Sequence, residues 1–183
     1  MEGWTASGSI RVTAASCQDS GMAKRPSGGT PATESLAKAG VPFEIHPYDM
    51  GDLPESDTYG EAVAALLGVE PERLFKTLLA VVDDEPAVAV VPVSTRLSTK
   101  LLAKASGGKK AALMDPTDAE RLTGYVTGGI SPFGQKRRLP MFVDETCRLF
   151  ETIFVSAGRR GLQVEVRPDD LIRLLDASVV ELI

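Results

Sequence analysis

One lysine stands where a cation is costly. Lys76 lies in Leu74-Phe75-Lys76-Thr77-Leu78-Leu79-Ala80-Val81-Val82, where every neighbour except Thr77 is apolar. An ammonium in such a run must snorkel at a strand end, find an anionic partner or shed its proton, because burying it unpaired is strongly unfavourable. The last two outcomes describe a functional lysine. The second feature is Gly128-Gly129-Ile130-Ser131-Pro132-Phe133-Gly134, whose three glycines permit backbone positions that a side chain would block and can expose N–H groups to a ligand's oxygen atoms. It lacks the Gly-Lys-Ser/Thr ending of a phosphate-binding P-loop. A plain turn accounts for the glycines; the cations that follow, Lys136, Arg137 and Arg138, suit an anionic ligand. The chain has one histidine, His46, so a two-His metal motif is excluded and any Ser-His-Asp triad would depend on that residue. Between Ile45 and Pro47 it reads as structural rather than as a base. Cys17 and Cys147 form no CxxC half-site, and Cys147 reads as inert. The expected chemistry needs no metal and no cofactor.

These residues require a scaffold, and its punctuation is regular from Thr30 onward. Thr30 can cap a helix with Pro31 at its first position, stopped by Gly40. Phe43 to Tyr48 alternates like a strand, and Thr58-Tyr59-Gly60-Glu61 is a candidate capping box for a helix closed by Gly68. The runs Leu74–Val82 and Ala87–Val93, separated by Asp83-Asp84-Glu85-Pro86, predict a hairpin. A helix over Ser98 to Ser106, a short strand at Ala111 to Met114 and a helix from Asp115-Pro116 to Gly124 follow. Strands are expected at Met141–Val143, Thr152–Ser156, Leu162–Val166 and Ser178–Ile183, with a helix at Pro168–Leu175 before the last. The pattern predicts a single α+β domain over residues 30–183, a curved mixed sheet, largely antiparallel, of about seven strands flanked by five helices. Residues 1–29 hold five Gly, five Ser and no apolar periodicity, so they are expected to be a flexible tail; Met22 is a candidate translation start within it.

Composition narrows the function classes. With 183 residues, 43% apolar and 25% charged, the chain has the make-up of one globular domain with an appendage. It contains no apolar run near the ~18 residues that cross a bilayer, and no secretory h-region. The net charge of −5 argues against indiscriminate binding to DNA, yet the signs are segregated. Six acids and no cation lie from Glu44 to Glu61; five cations and no acid lie from Arg96 to Lys110. Such a chain can grip an RNA locally while repelling it elsewhere, although solvated faces also explain the pattern.

Thr30-Pro31-Ala32, His46-Pro47-Tyr48, Phe75-Lys76-Thr77-Leu78, Gly128 to Lys136 and Val155-Ser156-Ala157-Gly158-Arg159-Arg160-Gly161-Leu162 together resemble the YbaK/EbsC family, free-standing relatives of the editing domain of bacterial prolyl-tRNA synthetases. The match runs from about Thr30 to the C-terminus. The resemblance implies that fold and an aminoacyl-tRNA deacylase that clears a mischarged amino acid, cysteine above all, from the 3′ end of proline tRNA. In the cysteine-editing relatives the substrate's own thiol attacks its carbonyl and releases a thiolactone, an activity classed as a lyase, or as a hydrolase where water attacks. The resemblance puts the catalytic lysine at Lys76, the substrate loop at Gly128, Gly129, Ile130, Ser131 and Pro132, and further substrate contacts at Tyr48, Thr77 and Ser156. Lys76 would orient the amino or carbonyl group, and N–H groups of Gly129 to Ser131 would receive developing negative charge. Gln163 is a departure: cysteine-specific relatives commonly carry aspartate there, and an amide can hydrogen-bond an α-ammonium only without charge assistance. Candidate tRNA contacts are Lys136, Arg137, Arg138, Arg159 and Arg160. The implied partners are mischarged tRNA and a prolyl-tRNA synthetase, in the cytoplasm, with no membrane and no DNA. Two other readings stay open: hydrolysis of Ala-tRNA(Pro), and a catalytically silent module binding an RNA end or a protein.

Overall fold

In the computed structural model, which describes residues 10–12, 29–56 and 58–183, four of the five α-helices begin on a side-chain cap. In α1 (Pro31–Lys38), the Thr30 hydroxyl accepts from Thr33 N–H while Thr33 Oγ1 accepts from Thr30 N–H, a reciprocal box in which threonine replaces the usual glutamate. In α2 (Tyr59–Leu67), Thr58 caps Glu61 N–H, but its hydroxyl donates to the Glu61 carboxylate at 2.9 Å, so the second half of the expected box is made side chain to side chain. Three more helices match the expected punctuation: α3 (Thr99–Ala105), α4 (Pro116–Thr123) and α5 (Pro168–Leu175).

The strands are β1 (Ile10–Val12), β2 (Phe43–Pro47), β3 (Leu74–Val82), β4 (Glu85–Pro92), β5 (Ala111–Leu113), β6 (Met141–Asp144), β7 (Ile153–Ser156), β8 (Leu162–Val166) and β9 (Ser178–Val180). They form one sheet in the order β1-β2-β8-β7-β3-β4-β6-β9, with β5 also on β3. Five ladders are antiparallel and three, β3–β7, β4–β6 and β6–β9, are parallel. The expected mixed, largely antiparallel architecture is therefore present. The described residues hold nine strands rather than about seven; β5 and β9 lie where short strands were expected, and β1 is the one that was not. Of these, β1 falls in the segment expected to be a loose tail and pairs with Phe43 to Ile45 of β2. The β3–β4 hairpin turns through Asp83 and Asp84, both at positive φ, 45° and 73°, the conformation that a two-residue hairpin turn demands.

Side-chain alternation divides the core into two layers. Phe75, Leu79, Val88, Val90, Val155 and Val164 face α1, α4 and α5, where fully buried Leu36 and Leu171 each contribute about 1.5–3 kcal/mol of transfer free energy. On the other face Ala80, Ala89 and Val91 pack under Leu102 and Ala103 of α3, while Leu74, Val93 and Phe154 pack under Val63 and Ala64 of α2. Because β4 is covered on both faces, Ala87 to Pro92 is buried throughout, which is why its sequence is an unbroken apolar run.

The feature that positions the site is a split along β3. On one edge the strand pairs with β4 over its length. On the other it pairs with β7 only at Leu74 and Phe75, and with β5 only from Ala80 to Val82. Between those partners the sheet is open.

Candidate functional site

The split exposes backbone as well as side chains. Arg73 O accepts from Phe154 N–H and Leu79 O from Met114 N–H, whereas Leu74 O accepts from Val93 N–H on β4. Odd-numbered residues of β3 therefore aim their peptide groups at the β7 and β5 side. Thr77 lies between the two partners, so its N–H and C=O face the gap. A cleft of about 370 Å³ enters here, bounded by α2 at Tyr59 and Gly60, by Met114 before α4, and by the loop at Thr127, Gly128 and Ile130. That volume suits one amino-acid residue and part of what carries it.

Register brings the polar groups together. His46 lies opposite Gln163, and Gln163 opposite Ser156. The β7–β3 register, with Phe75 opposite Val155, runs one step further to bring Lys76 beside Ser156. Lys76, Ser156 and Gln163 thus form a cross-strand row on one face, and all three line the cleft together with Thr77. Lys76 Nζ donates to Thr95 O at 2.6 Å and reaches Val93 O at 3.4 Å, beyond the end of β4. Partial burial holds its pKa below the usual lysine value; Glu61 opposes that shift and Arg96 adds to it. Thr77 Oγ1 and Gln163 Oε1 are buried without any hydrogen-bond partner. Unsatisfied buried acceptors are uncommon in folded proteins, and two in one cleft mark capacity held for a ligand.

The glycine loop is built by its neighbours. Gly134, at φ +63°, touches the first turn of α1 so closely that a Cβ would sit 2.3 Å from Pro31 O. A Cβ at Gly129 would meet the Arg159–Arg160 backbone at 2.9 Å. Thr30 Oγ1 in turn donates to Ala157 O. Three separate sequence motifs, opening α1, forming the loop and following β7, are thereby locked into one unit. Tyr125 OH donates to Phe133 O across the loop's base, and burial pushes this phenol up to about 12.

Within the loop the expected residues divide. Gly128 and Ile130 line the cleft. Gly129 N–H donates to Val126 O at 2.9 Å, so it is engaged inside a turn rather than offered to a substrate's charge, as had been expected of it. Ser131 is fully buried, its hydroxyl accepting from Phe133 N–H and its carbonyl from the Gln135 amide. Pro132 is buried on the side away from the cleft, beside Gln135 and Leu139. Gly129, Ser131 and Pro132 shape the loop from behind.

A family model for the aminoacyl-tRNA editing domain matches residues 54–174, about two thirds of the chain. The chain belongs to that family. It is 37% identical over 154 residues to EbsC of Enterococcus faecalis, named as a candidate Cys-tRNA(Pro)/Cys-tRNA(Cys) deacylase, covering 84% of this chain and 92% of that protein. A proline–tRNA ligase of Lactobacillus helveticus is 25% identical over 148 residues, 79% of this chain and 26% of the ligase. The solved structure of a candidate trans-editing enzyme for prolyl-tRNA synthetase superposes with a TM-score of 0.73 at 21% identity, covering 83% of this chain and 94% of that one, a likeness of fold.

On this editing-domain framework, Tyr48 stands one step outside the cleft. Its hydroxyl bonds that of Tyr59 at 2.8 Å, and Tyr59 is the ring that lines the wall. Burial, then the bond to Tyr48, raises the Tyr59 pKa further above its usual value, with Arg160 opposing. Sequence reasoning passed over Tyr59 because its position reads as helix opening; a large aromatic at the first turn, directly after a capping threonine, was the available signal. The apolar walls, Val63, Leu74, Leu79 and Val93 among them, were read only as parts of a helix and of strands.

The expected tRNA contacts are dispersed. Arg160 is held by its Nε and Nη2 donating to Thr127 O, at 2.9 and 2.7 Å, beside the loop. Arg159 and Arg137 are exposed; Arg138 lies 3.8 Å from Asp176, and the Lys136 stem covers Gly124. Cys147 is buried and burial pushes its thiol up to about 11, an inert setting; Cys17 lies outside the described residues. His46 is bonded to Glu165 at 3.0 Å with its ring edge-on to Phe154, a structural role. Glu44, His46 and Glu165 could each turn one ligand atom toward a common point, all within 4.8 Å, which sequence spacing had not suggested. Arg73 bonds Glu165 there, so a guanidinium already supplies positive charge.

Proposed function

We propose that this protein is a trans-editing deacylase that removes cysteine mis-esterified to proline tRNA, acting in the cytoplasm by attack of the substrate's own thiol. The carrying observation is the chemistry of the cleft: among the described residues no carboxylate, imidazole or thiol lines it. Lys76 and Tyr59 are its ionisable groups, and neither is an effective base near neutrality while protonated. With no base to activate a water or the hydroxyls of Thr77 and Ser156, an effective nucleophile is best brought by the substrate. A cysteinyl ester brings one, held at high effective molarity by its covalent tether.

In this reading the tRNA end enters past Tyr59 and Arg160, and the cysteinyl group occupies the gap in the sheet. Gln163 Oε1 accepts from the α-ammonium and Thr77 presents its peptide groups and hydroxyl to the ester. The Lys76 ammonium, held by the Thr95 carbonyl, stabilises charge developing on the ester oxygen. Thiol sulfur bonds to the carbonyl carbon, the carbon–oxygen bond to the ribose breaks, and the thiol's proton passes to the departing ribose oxygen. The products are a thiolactone and free tRNA, with no water consumed. The likeness to EbsC and to part of a proline–tRNA ligase supports the choice of tRNA. The test compares cysteinyl-, seryl- and alanyl-tRNA(Pro) as substrates. Cysteine should be cleared much the fastest, serine little better than alanine; equal rates would assign the reaction to water and the pocket to selection by size.

A further inference from the structure

The strongest surface feature left unused by the cleft is a stretch without acids. From Pro86 to Met114 the chain carries Arg96, Lys100, Lys104, Lys109 and Lys110 and no Asp or Glu. All five cations are exposed, and none has an ion pair among the described residues. A protein of net charge −5 has ample carboxylate to neutralise them, yet leaves them together at the cost of mutual repulsion.

The scaffold under these charges is rigid. Leu102 and Ala103 anchor α3 against β4, Ser98 caps it at Leu101 N–H, and Ser98 N–H donates to Leu182 O. Lys100 and Lys104, four residues apart, share the outward side about 6 Å from each other along the axis. The Asp83 carboxylate takes the backbone N–H of Lys109 and of Lys110, fixing the turn while both side chains stay in solvent. At the opposite end, Arg96 directly follows Thr95, whose carbonyl accepts from Lys76 Nζ. The stripe thus starts beside the cleft's lysine and leads away from it over α3.

We propose that this stripe is the docking surface for the double-helical stem of the RNA whose 3′ end enters the cleft. The inference rests on the editing reading above. A rigid row of unpaired cations matches the closely spaced phosphates of a duplex and reads no sequence, which suits a stem adjoining a single-stranded end. It is also distinct from the loop cations at 136–138 and 159–160, of which Arg160 is engaged with Thr127 O.

The test uses the full chain, with Lys100→Ala/Lys104→Ala and the charge-retaining Lys100→Arg/Lys104→Arg, and measures binding of uncharged tRNA over a range of salt. Two lost phosphate contacts should weaken binding about tenfold or more at low salt and flatten the slope of log K against log[salt] by about 1.5, with arginine restoring both. A cysteinyl ester of adenosine, too short to reach α3, should be cleaved equally by all three proteins. Unchanged tRNA affinity and slope in the alanine variant would overturn the proposal, as would equal loss on the adenosine ester, which would mean a damaged cleft. Loss of binding to phosphatidylglycerol vesicles with tRNA binding intact would assign the stripe to a membrane and overturn it too. Because uncharged tRNA reports docking without chemistry, a wild-type protein that binds tRNA through α3 but cleaves no ester would refute the editing reading and leave the surface standing.

Discussion

The row of side chains crossing β2, β8, β7 and β3 ends in two different ways. At the His46 end the groups satisfy one another: Glu165 is bonded by Arg73, Thr152 and His46, and Arg73 and His46 both lie against the Phe154 ring. At the Lys76 end the sheet parts, the lysine leans on carbonyls instead of a carboxylate, and Thr77 and Gln163 keep buried acceptors without partners. The same strands therefore carry a closed network and an open one, with Thr77 projecting to the face opposite Lys76 and Gln163. What separates them is whether a neighbouring strand continues: β2, β8 and β7 run side by side under His46, while β3 has no partner between β7 and β5.

Exchanging the two ends by mutation should divide chemistry from stability. Lys76→Ala should lower deacylation by about 10²–10³-fold, the scale of losing one preorganised electrostatic group, with a thermal midpoint close to wild type. Lys76→Arg should fail as well, because a planar fork cannot take the place of a compact ammonium on Thr95 O. Arg73→Ala, at the closed end, should do the reverse, removing about 1–3 kcal/mol of stability while leaving kcat/KM within a few-fold. If Arg73→Ala abolished turnover and kept the midpoint, the division would collapse.

The glycine loop sharpens the comparison, since it closes the open end. Gly134→Ala forces a methyl group onto Pro31 O and into a positive-φ position, so it should cost about 1–3 kcal/mol and disorder the cleft wall, lowering midpoint and activity together. Denaturant unfolding beside the deacylation assay would show both.

The pH profile is a gentler probe. Burial lowers the Lys76 pKa below its ordinary 10.5, so the folded protein releases that proton before the unfolded chain does. Between the two values the unfolded state binds more protons, and stability attributable to this group rises with pH through that window. Activity that requires the ammonium should instead fall on the alkaline side, at a lower pH than a free lysine would give. Lys76→Met should abolish the stability slope.

The smallest effects are expected at Gln163 and the N-terminus. Gln163→Asp should tighten KM for cysteinyl-tRNA through a charged contact to the α-ammonium, with cysteine still preferred to alanine. Reversal of that order would move the specificity assignment to alanine. For residues 1–29 we propose that catalysis does not need them: deletion removes the three-residue pairing of edge strand β1 with β2, which stands between β1 and the cleft-lining β8, and turnover should be unchanged with at most a slight fall in midpoint.

Much of this was legible locally. Thr30-Pro31, Asp115-Pro116 and the glycines at 68 and 124 set helix ends where the structure has them, because caps act within a turn of chain. The apolar runs of β3 and β4, separated by Asp83-Asp84-Glu85-Pro86, announced the hairpin that the structure has. Strand order was not legible, since placing β8 and β7 between β2 and β3 depends on pairings between residues 80 positions apart for β3–β7 and 115 or more apart for β2–β8. For the same reason the gap in the sheet, the inward turn of Gly129 and the partnerless state of Thr77 could not be read: each depends on what is absent on the far side of a group. Lys76 stood out in sequence because its oddity is local.

The central claim is that the cleft supplies no activated nucleophile and the substrate brings its own. Cleavage of cysteinyl-tRNA(Pro) in ¹⁸O-water, with a primary amine present to capture acyl intermediates, tests it in one reaction. We expect the amine-captured cysteinyl amide, formed from the thiolactone at a rate proportional to enzyme, and free cysteine that gains label only as the thiolactone hydrolyses without enzyme. Free cysteine carrying one ¹⁸O from the outset, with no captured amide, would show that water attacks the ester directly and would contradict the account.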